Sequence, residues 1–144
     1  YTESAGYSKK MSVDCRIVVG LTIELFDHEL SFEDFDKIHK FIEEHPELDE
    51  YDYRYDEREG KPLLITDGMN GDFARLVWVD KIIEPGMLGE NNEYIKLSMP
   101  AGIGDQYFIT QHICELIRYW EAFTGKEYDF NNSIVEYAMW SQWS

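Results

Sequence analysis

The side chains able to do chemistry in this sequence are scattered, and their spacing decides what they can do. Four histidines, His28, His39, His45 and His112, stand at intervals that do not converge. A metallohydrolase centre would want two histidines one helical turn apart with a glutamate between them. No such run occurs. His112 and Glu115 are three apart in a stretch with helical spacing, which makes them a same-face pair. Asp27, His28 and Glu29 close a strand-like stretch and read as a polar turn. Asp67, Asn70 and Asp72 start like a calcium loop, but its third and fifth positions are Met69 and Gly71, which cannot supply side-chain oxygens. Gly102, Ile103 and Gly104 could turn backbone N–H groups toward an anion at a helix start. Asp105 puts its own carboxylate there instead. Cys15 and Cys114 fall within apolar patterns, the setting of inert core thiols. Phosphate-loop, nucleophile-elbow and full dinucleotide-binding motifs are all missing from the sequence, so no catalytic residue, metal or cofactor is expected.

The one concentrated feature is acidic. Residues 43–59, EEHPELDEYDYRYDERE, hold nine carboxylates against Arg54 and Arg58, a net charge of −7 in 17 positions. Solubility alone would explain the charge. It would not explain Tyr51, Tyr53 and Tyr55, whose rings could add packing and cation-π contacts to an arginine-rich surface. The alternation of these tyrosines with Asp52, Arg54 and Asp56 reads as a strand with one wet face. On a strand, same-face carboxylates lie about 6.7 Å apart, from a rise of about 3.4 Å per residue. Every second phosphate of a nucleic-acid strand would be imitated, given a phosphate about every 3.4 Å.

Composition limits the partner. The 144 residues carry 13 Lys+Arg and 29 Asp+Glu, a formal charge of −16. Affinity for a polyphosphate comes from cations that displace counterions, so direct nucleic-acid binding is disfavoured, as is an anionic membrane surface. With 44% hydrophobic and 15% aromatic residues the chain is too apolar for a disordered acidic tail. Two cysteines are too few for a disulfide framework, no run reaches the roughly 18 apolar residues of a membrane helix, and no signal-peptide order opens the chain. A cytoplasmic location is the expectation. In charge and size the chain resembles the small acidic inhibitors that phages and mobile elements direct against restriction or CRISPR nucleases, and the immunity proteins that neutralise basic nuclease toxins. That resemblance covers composition alone and assigns no residues.

The elements that must position these groups follow from periodicity. Cys15, Ile17, Val19, Leu21, Ile23 and Leu25 alternate with Arg16, Gly20, Thr22 and Glu24, which predicts a long half-buried strand. Ser31 and Asp34 have capping-box spacing before a helix carrying Phe35, Ile38, Phe41 and Ile42 on one face, closed at His45-Pro46. Strands are expected over 63–66 and 73–83, joined by a hairpin at Asn70-Gly71, and over 94–99 with Ile95, Leu97 and Met99 inward. A second helix is expected over 105–124, capped by Asp105 and ended by Gly125, with Ile109, Ile113, Leu116, Ile117, Trp120 and Phe123 on its apolar stripe. A last strand is expected over 133–140. Residues 1–10 show no pattern and are set apart as a leader, leaving 11–144 as one domain. The expected class is α+β: a two-layer sandwich of a mostly antiparallel sheet, five or six strands, with two helices on one face.

The functional expectation is a non-enzymatic acidic protein that engages a basic partner, such as a nuclease or another nucleic-acid-binding protein, and blocks its nucleic-acid site. The contact would use Tyr51, Tyr53 and Tyr55 as anchors, surrounded by Glu47, Asp49, Glu50, Asp52, Asp56 and Glu57. Two alternatives stand beside it. One is a small enzyme whose site joins dispersed carboxylates to His112. The other is a scaffold that pairs with a second copy through Trp140 and Trp143 in its aromatic C-terminus.

Overall fold

The computed structural model describes residues 15–66, 74–84, 94–99 and 103–143, with the side chains at 15, 103–109 and 143 outside the description. Strand β1 (Cys15–Glu24) is followed by helix α1 (Phe32–Glu44), strands β2 (Pro62–Thr66), β3 (Ala74–Ile83) and β4 (Ile95–Leu97), helix α2 (Ile103–Thr124) and strand β5 (Glu136–Trp143). The strands form one sheet in the order β2-β3-β1-β5-β4, every neighbouring pair antiparallel. Both helices pack on one face, where Ile38 and Phe41 of α1 and Leu116, Ile117 and Phe123 of α2 meet Val19, Leu21, Ile23, Leu76 and Trp78. The chain is therefore a single α+β sandwich.

β1 lies at the centre of the sheet because its Val and Ile residues can be buried on both sides. The alternation suggested one wet face. Instead Val18 and Thr22 are buried as fully as Val19 and Ile23, and a second cluster of Val18, Leu63, Ile65, Val77, Val79, Ala138 and Trp140 fills the sheet face away from the helices. A bulge between Val19 and Gly20 interrupts the β1–β3 register. Only glycine fits there, since a Cβ at position 20 would sit 2.3 Å from the Trp78 carbonyl oxygen. The extra residue opposite it shifts the phase of β3, so that Ile82 packs on the second cluster and Ile83 on the helix-face core.

α1 opens as its sequence directs. Ser31 Oγ accepts from the Asp34 N–H at 3.3 Å, and Asp34 accepts from the Ser31 N–H at 2.9 Å, a reciprocal cap that satisfies two orphan donors. α2 begins at Ile103, so Asp105 lies inside the helix and does not cap it. It ends before Gly125, whose φ of +72° is the left-handed turn that glycine takes without strain. β5 runs three residues later than expected because Tyr128 holds the approach: its hydroxyl accepts from the Ile134 N–H at 3.1 Å and lies 3.3 Å from Ser133 Oγ. In β4 only Leu97 packs on the core, while Ile95 and Met99 are exposed. The hairpin expected at Asn70-Gly71 and residues 1–10 lie outside the described residues, although β2 and β3 pair antiparallel on either side of that turn.

Candidate partner-binding surface

The acidic segment does not form the strand its tyrosine alternation suggested. It folds as three short 3₁₀ turns, Pro46–Leu48, Glu50–Asp52 and Tyr55–Glu57. The competing physics is local hydrogen bonding. Asp49 accepts from the Tyr51 N–H at 3.0 Å, Glu57 accepts from the Arg54 N–H at 3.3 Å, and the Asp52 and Tyr53 N–H groups reach the Asp49 and Glu50 carbonyls. With its polar groups satisfied in turns, the segment has few left for a ladder. It nevertheless guards an edge, because Asp49 makes a lone parallel bridge to Leu64 on the outer side of β2. Gly60 and Lys61 then bond to Val79, returning the chain to the sheet. The phosphate spacing of a strand does not carry over to these turns, whose rise is about 2.0 Å per residue.

The three tyrosines separate. Tyr51 is 63% exposed. Tyr53 is half-buried against the second cluster, with the Lys61 ammonium 4.8 Å from its ring centre. Tyr55 is half-buried between two guanidinium groups, Arg58 at 4.1 Å and Arg16 at 5.1 Å, and donates to the Gln142 carbonyl at 3.4 Å. Tyr53 and Tyr55 thus spend their rings on this molecule's own sheet and cations.

The carboxylates separate too. Glu50 is 3% exposed and faces Arg58, itself 6% exposed, at 3.7 Å. Burial pushes the Glu50 carboxyl up to about 7, with Arg58 opposing the rise and Asp49 adding to it. Glu50 therefore drops out of the proposed surround: it is internal. Glu47 accepts from the Tyr119 hydroxyl at 2.8 Å and so ties the segment to α2. Its own backbone N–H, then that hydroxyl, hold its carboxyl below the usual range, while burial and Glu47 push Tyr119 up to about 12. Asp56 and Glu57 share Arg54, at 3.3 and 3.9 Å. Glu59 accepts from the Ile82 N–H at 2.8 Å. Glu43, Glu44 and Asp52 are exposed. What faces outward is Tyr51 beside Asp52, with Glu47, Asp56 and Glu57 on the flanking turns and Glu43 and Glu44 at the end of α1.

Arg58 was not singled out from the sequence. The signal was available: an arginine within an acidic, tyrosine-rich run that holds only two, Arg54 and Arg58, has nearby carboxylates and rings to serve. It donates to the Tyr53 carbonyl at 3.2 Å, stacks on Tyr55 and faces Glu50, so a single side chain fixes the second and third turns together.

The other expected residues land away from this surface. His112 sits on the sheet-facing side of α2, stacked on Trp78 with ring centres 3.9 Å apart, and its Nδ1 is 3.5 Å from Glu115. Cys114, expected in the core, is exposed. Trp140 is buried in the second cluster and donates to Gln142 Oε1 at 3.1 Å, so it is not a self-association surface; the Trp143 side chain lies outside the description. Among the described residues, no three His, Cys, Asp or Glu side chains gather as a metal site. No helix among them is long and apolar enough to cross a membrane. No protein-family model, curated protein or solved structure matches this chain.

Proposed function

We propose that this chain is a non-enzymatic acidic binding protein of the cytoplasm that docks on a basic, nucleic-acid-binding partner and blocks its cationic groove. The observation that carries this reading is Tyr51, a large ring 63% exposed in the most acidic segment of a chain of charge −16. Exposed aromatics ringed by charge are the composition of an interface anchor. The anchor set narrows from three tyrosines to this one, because Tyr53 and Tyr55 are committed internally. The surround narrows to Glu43, Glu44, Glu47, Asp52, Asp56 and Glu57. Bracing by Arg58 and Glu47 holds the turns in place before any partner arrives, which lowers the ordering cost of docking.

The enzyme alternative draws less support, since His112 is packed between its helix and Trp78, and Glu50, the one carboxyl strongly raised among the described residues, is closed off with Arg58. The test is affinity capture from the source cells with the wild-type chain and with a Tyr51→Ala, Asp52→Asn, Asp56→Asn variant. The retained protein is then identified and its affinity measured at about 0.1 M and about 1 M salt, where the Debye length falls from about 10 Å to about 3 Å. The expected result is a basic nucleic-acid-binding protein, held steeply better at low salt and lost with the variant. An uncharged target, or an affinity indifferent to both salt and the substitutions, defeats the reading.

A further inference from the structure

A separate feature lies at one end of the central strands, where the end of β1, the start of α1, the end of α2 and the start of β5 leave a cleft of about 760 Å³. That is within the roughly 300–1,000 Å³ of small-molecule sites. Phe26, Trp120 and Phe123 form its apolar wall, with Phe26 and Phe123 edge to face at 5.5 Å. Phe26 and Trp120 are half-buried and keep part of their surface toward the opening.

The charges of the cleft sort in an uneven way. All four of its carboxylates are engaged. Glu24 accepts from Arg75 at 2.9 Å. Asp27 and Asp34 take the two ring nitrogens of His28 at 3.1 and 2.9 Å, and Asp34 also takes the Ser31 N–H. Glu136 accepts from the Tyr94 hydroxyl and pairs with Lys96 at 3.4 Å. Two lysines remain. Lys37 has its ammonium 4.6 Å from the Phe123 ring centre, and Lys126 follows α2 at the rim. Neither makes an ion pair among the described residues. Asp27 and Asp34 share the single His28, and Lys126 also helps hold Asp27 below its usual range, so the lining is close to balanced in charge. What it offers a flat apolar anion is an aromatic wall with two ammonium groups that lie outside direct ion pairs among the described residues.

We propose that this cleft is a binding site for a small aromatic carboxylate or sulfonate, its ring against Phe26 and Trp120 and its acid group between Lys37 and Lys126. The occupant would be a free metabolite-sized molecule, and the site is independent of the acidic turns.

The probe is 8-anilinonaphthalene-1-sulfonate, compared with N-phenyl-1-naphthylamine, the same ring system without the sulfonate. Saturable one-to-one binding of the sulfonate is expected, tighter than that of the neutral compound. Lys37→Gln and Lys126→Gln should each weaken the sulfonate about two- to fivefold, as exposed ion pairs do, and together about tenfold, with the neutral compound unaffected. Both lysines are at the surface, so these variants fold. Amide shifts on titration should map to His28, Lys37, Lys126 and Ile134, and benzoate should compete where inorganic phosphate does not. The proposal is overturned by equal affinity for the two dyes, by full sulfonate affinity in the double variant, by phosphate competing as well as benzoate, by shifts elsewhere, or by no binding.

Discussion

Replacing Glu50 with glutamine should stabilise the protein at alkaline pH and leave it unchanged at acid pH. Glu50 is 3% exposed, and although Arg58 stands 3.7 Å away, burial outweighs that attraction and lifts the carboxyl from 4.5 to about 7. The sign follows from which state holds the proton. Below about pH 4.5 the group is protonated in both the folded and unfolded chain, and its contribution to stability is fully present. As the pH rises, the unfolded chain releases its proton first, so stability is lost progressively through about pH 7. One pKa unit is worth about 1.4 kcal/mol, so the displacement amounts to about 3 kcal/mol once Glu50 is fully ionised. Glutamine imitates the protonated carboxyl in shape and charge and removes this loss. Urea unfolding followed by tryptophan fluorescence, at about pH 5 and about pH 8.5, compares the two proteins; the difference between them isolates this one group from every other titration. The opposite outcome has a clear meaning. If Glu50 were ionised and its pairing with Arg58 net stabilising, Glu50→Gln would orphan a buried guanidinium and cost about 3–5 kcal/mol at the higher pH. A variant less stable than wild type at pH 8.5 therefore refutes the reasoning.

Three other outcomes follow. His28, bridged to Asp34 and then to Asp27, should titrate above its ordinary value of 6.5, its stabilising effect present below that value and lost as pH rises through the folded one; ring-proton shifts in NMR should show Asp34→Asn lowering it more than Asp27→Asn, and no response to either would contradict the bridge. Gly20→Ala should destabilise by about 3 kcal/mol in denaturant unfolding, because the new methyl meets the backbone carbonyl of Trp78 and no side chain can yield. Tyr51→Ala should weaken partner binding while shifting stability by no more than about 0.5 kcal/mol, the range of an exposed position; a loss of stability larger than this would mean the ring has a structural duty.

Much of the sandwich was readable because its signals are local. Period-two alternation marked β1, the Ser31/Asp34 spacing marked the start of α1, and Gly125 marked the end of α2. Helical phase also places Cys114 outward, since Ile113, Leu116, Ile117 and Trp120 take the inner face; reading it as core ignored that phase. The errors fall where distant contacts decide. That β1 is buried on both faces depends on what the rest of the chain lays over it. That β5 extends to Trp143 depends on pairing with Cys15, at the other end of the described chain. Over 51–55 the failure was one of competing local rules: tyrosine favours strands, but aspartate and glutamate supply acceptors for nearby N–H groups, and those bonds won.

The same competition changes what acidity means here. A carboxylate that caps a turn, as Asp49 does, or accepts from a tyrosine, as Glu47 does, is held in one orientation, whereas Glu43, Glu44 and Asp52 are exposed and make no such bond among the described residues. If charge served solubility alone, there would be no reason for the segment to be braced at its centre by a buried arginine, since hydration needs no fixed geometry. Bracing matters when a surface must meet another surface. On the proposed reading, an exposed ring carried on turns that Arg58, Glu47 and Asp49 have already set would approach a partner with its backbone entropy largely removed. The bracing rests on Arg58's bond to the Tyr53 carbonyl and its stacking on Tyr55 rather than on its attraction to Glu50: Arg58→Ala should free the second and third turns and weaken docking through Tyr51, whereas Glu50→Gln, which keeps both contacts, should not.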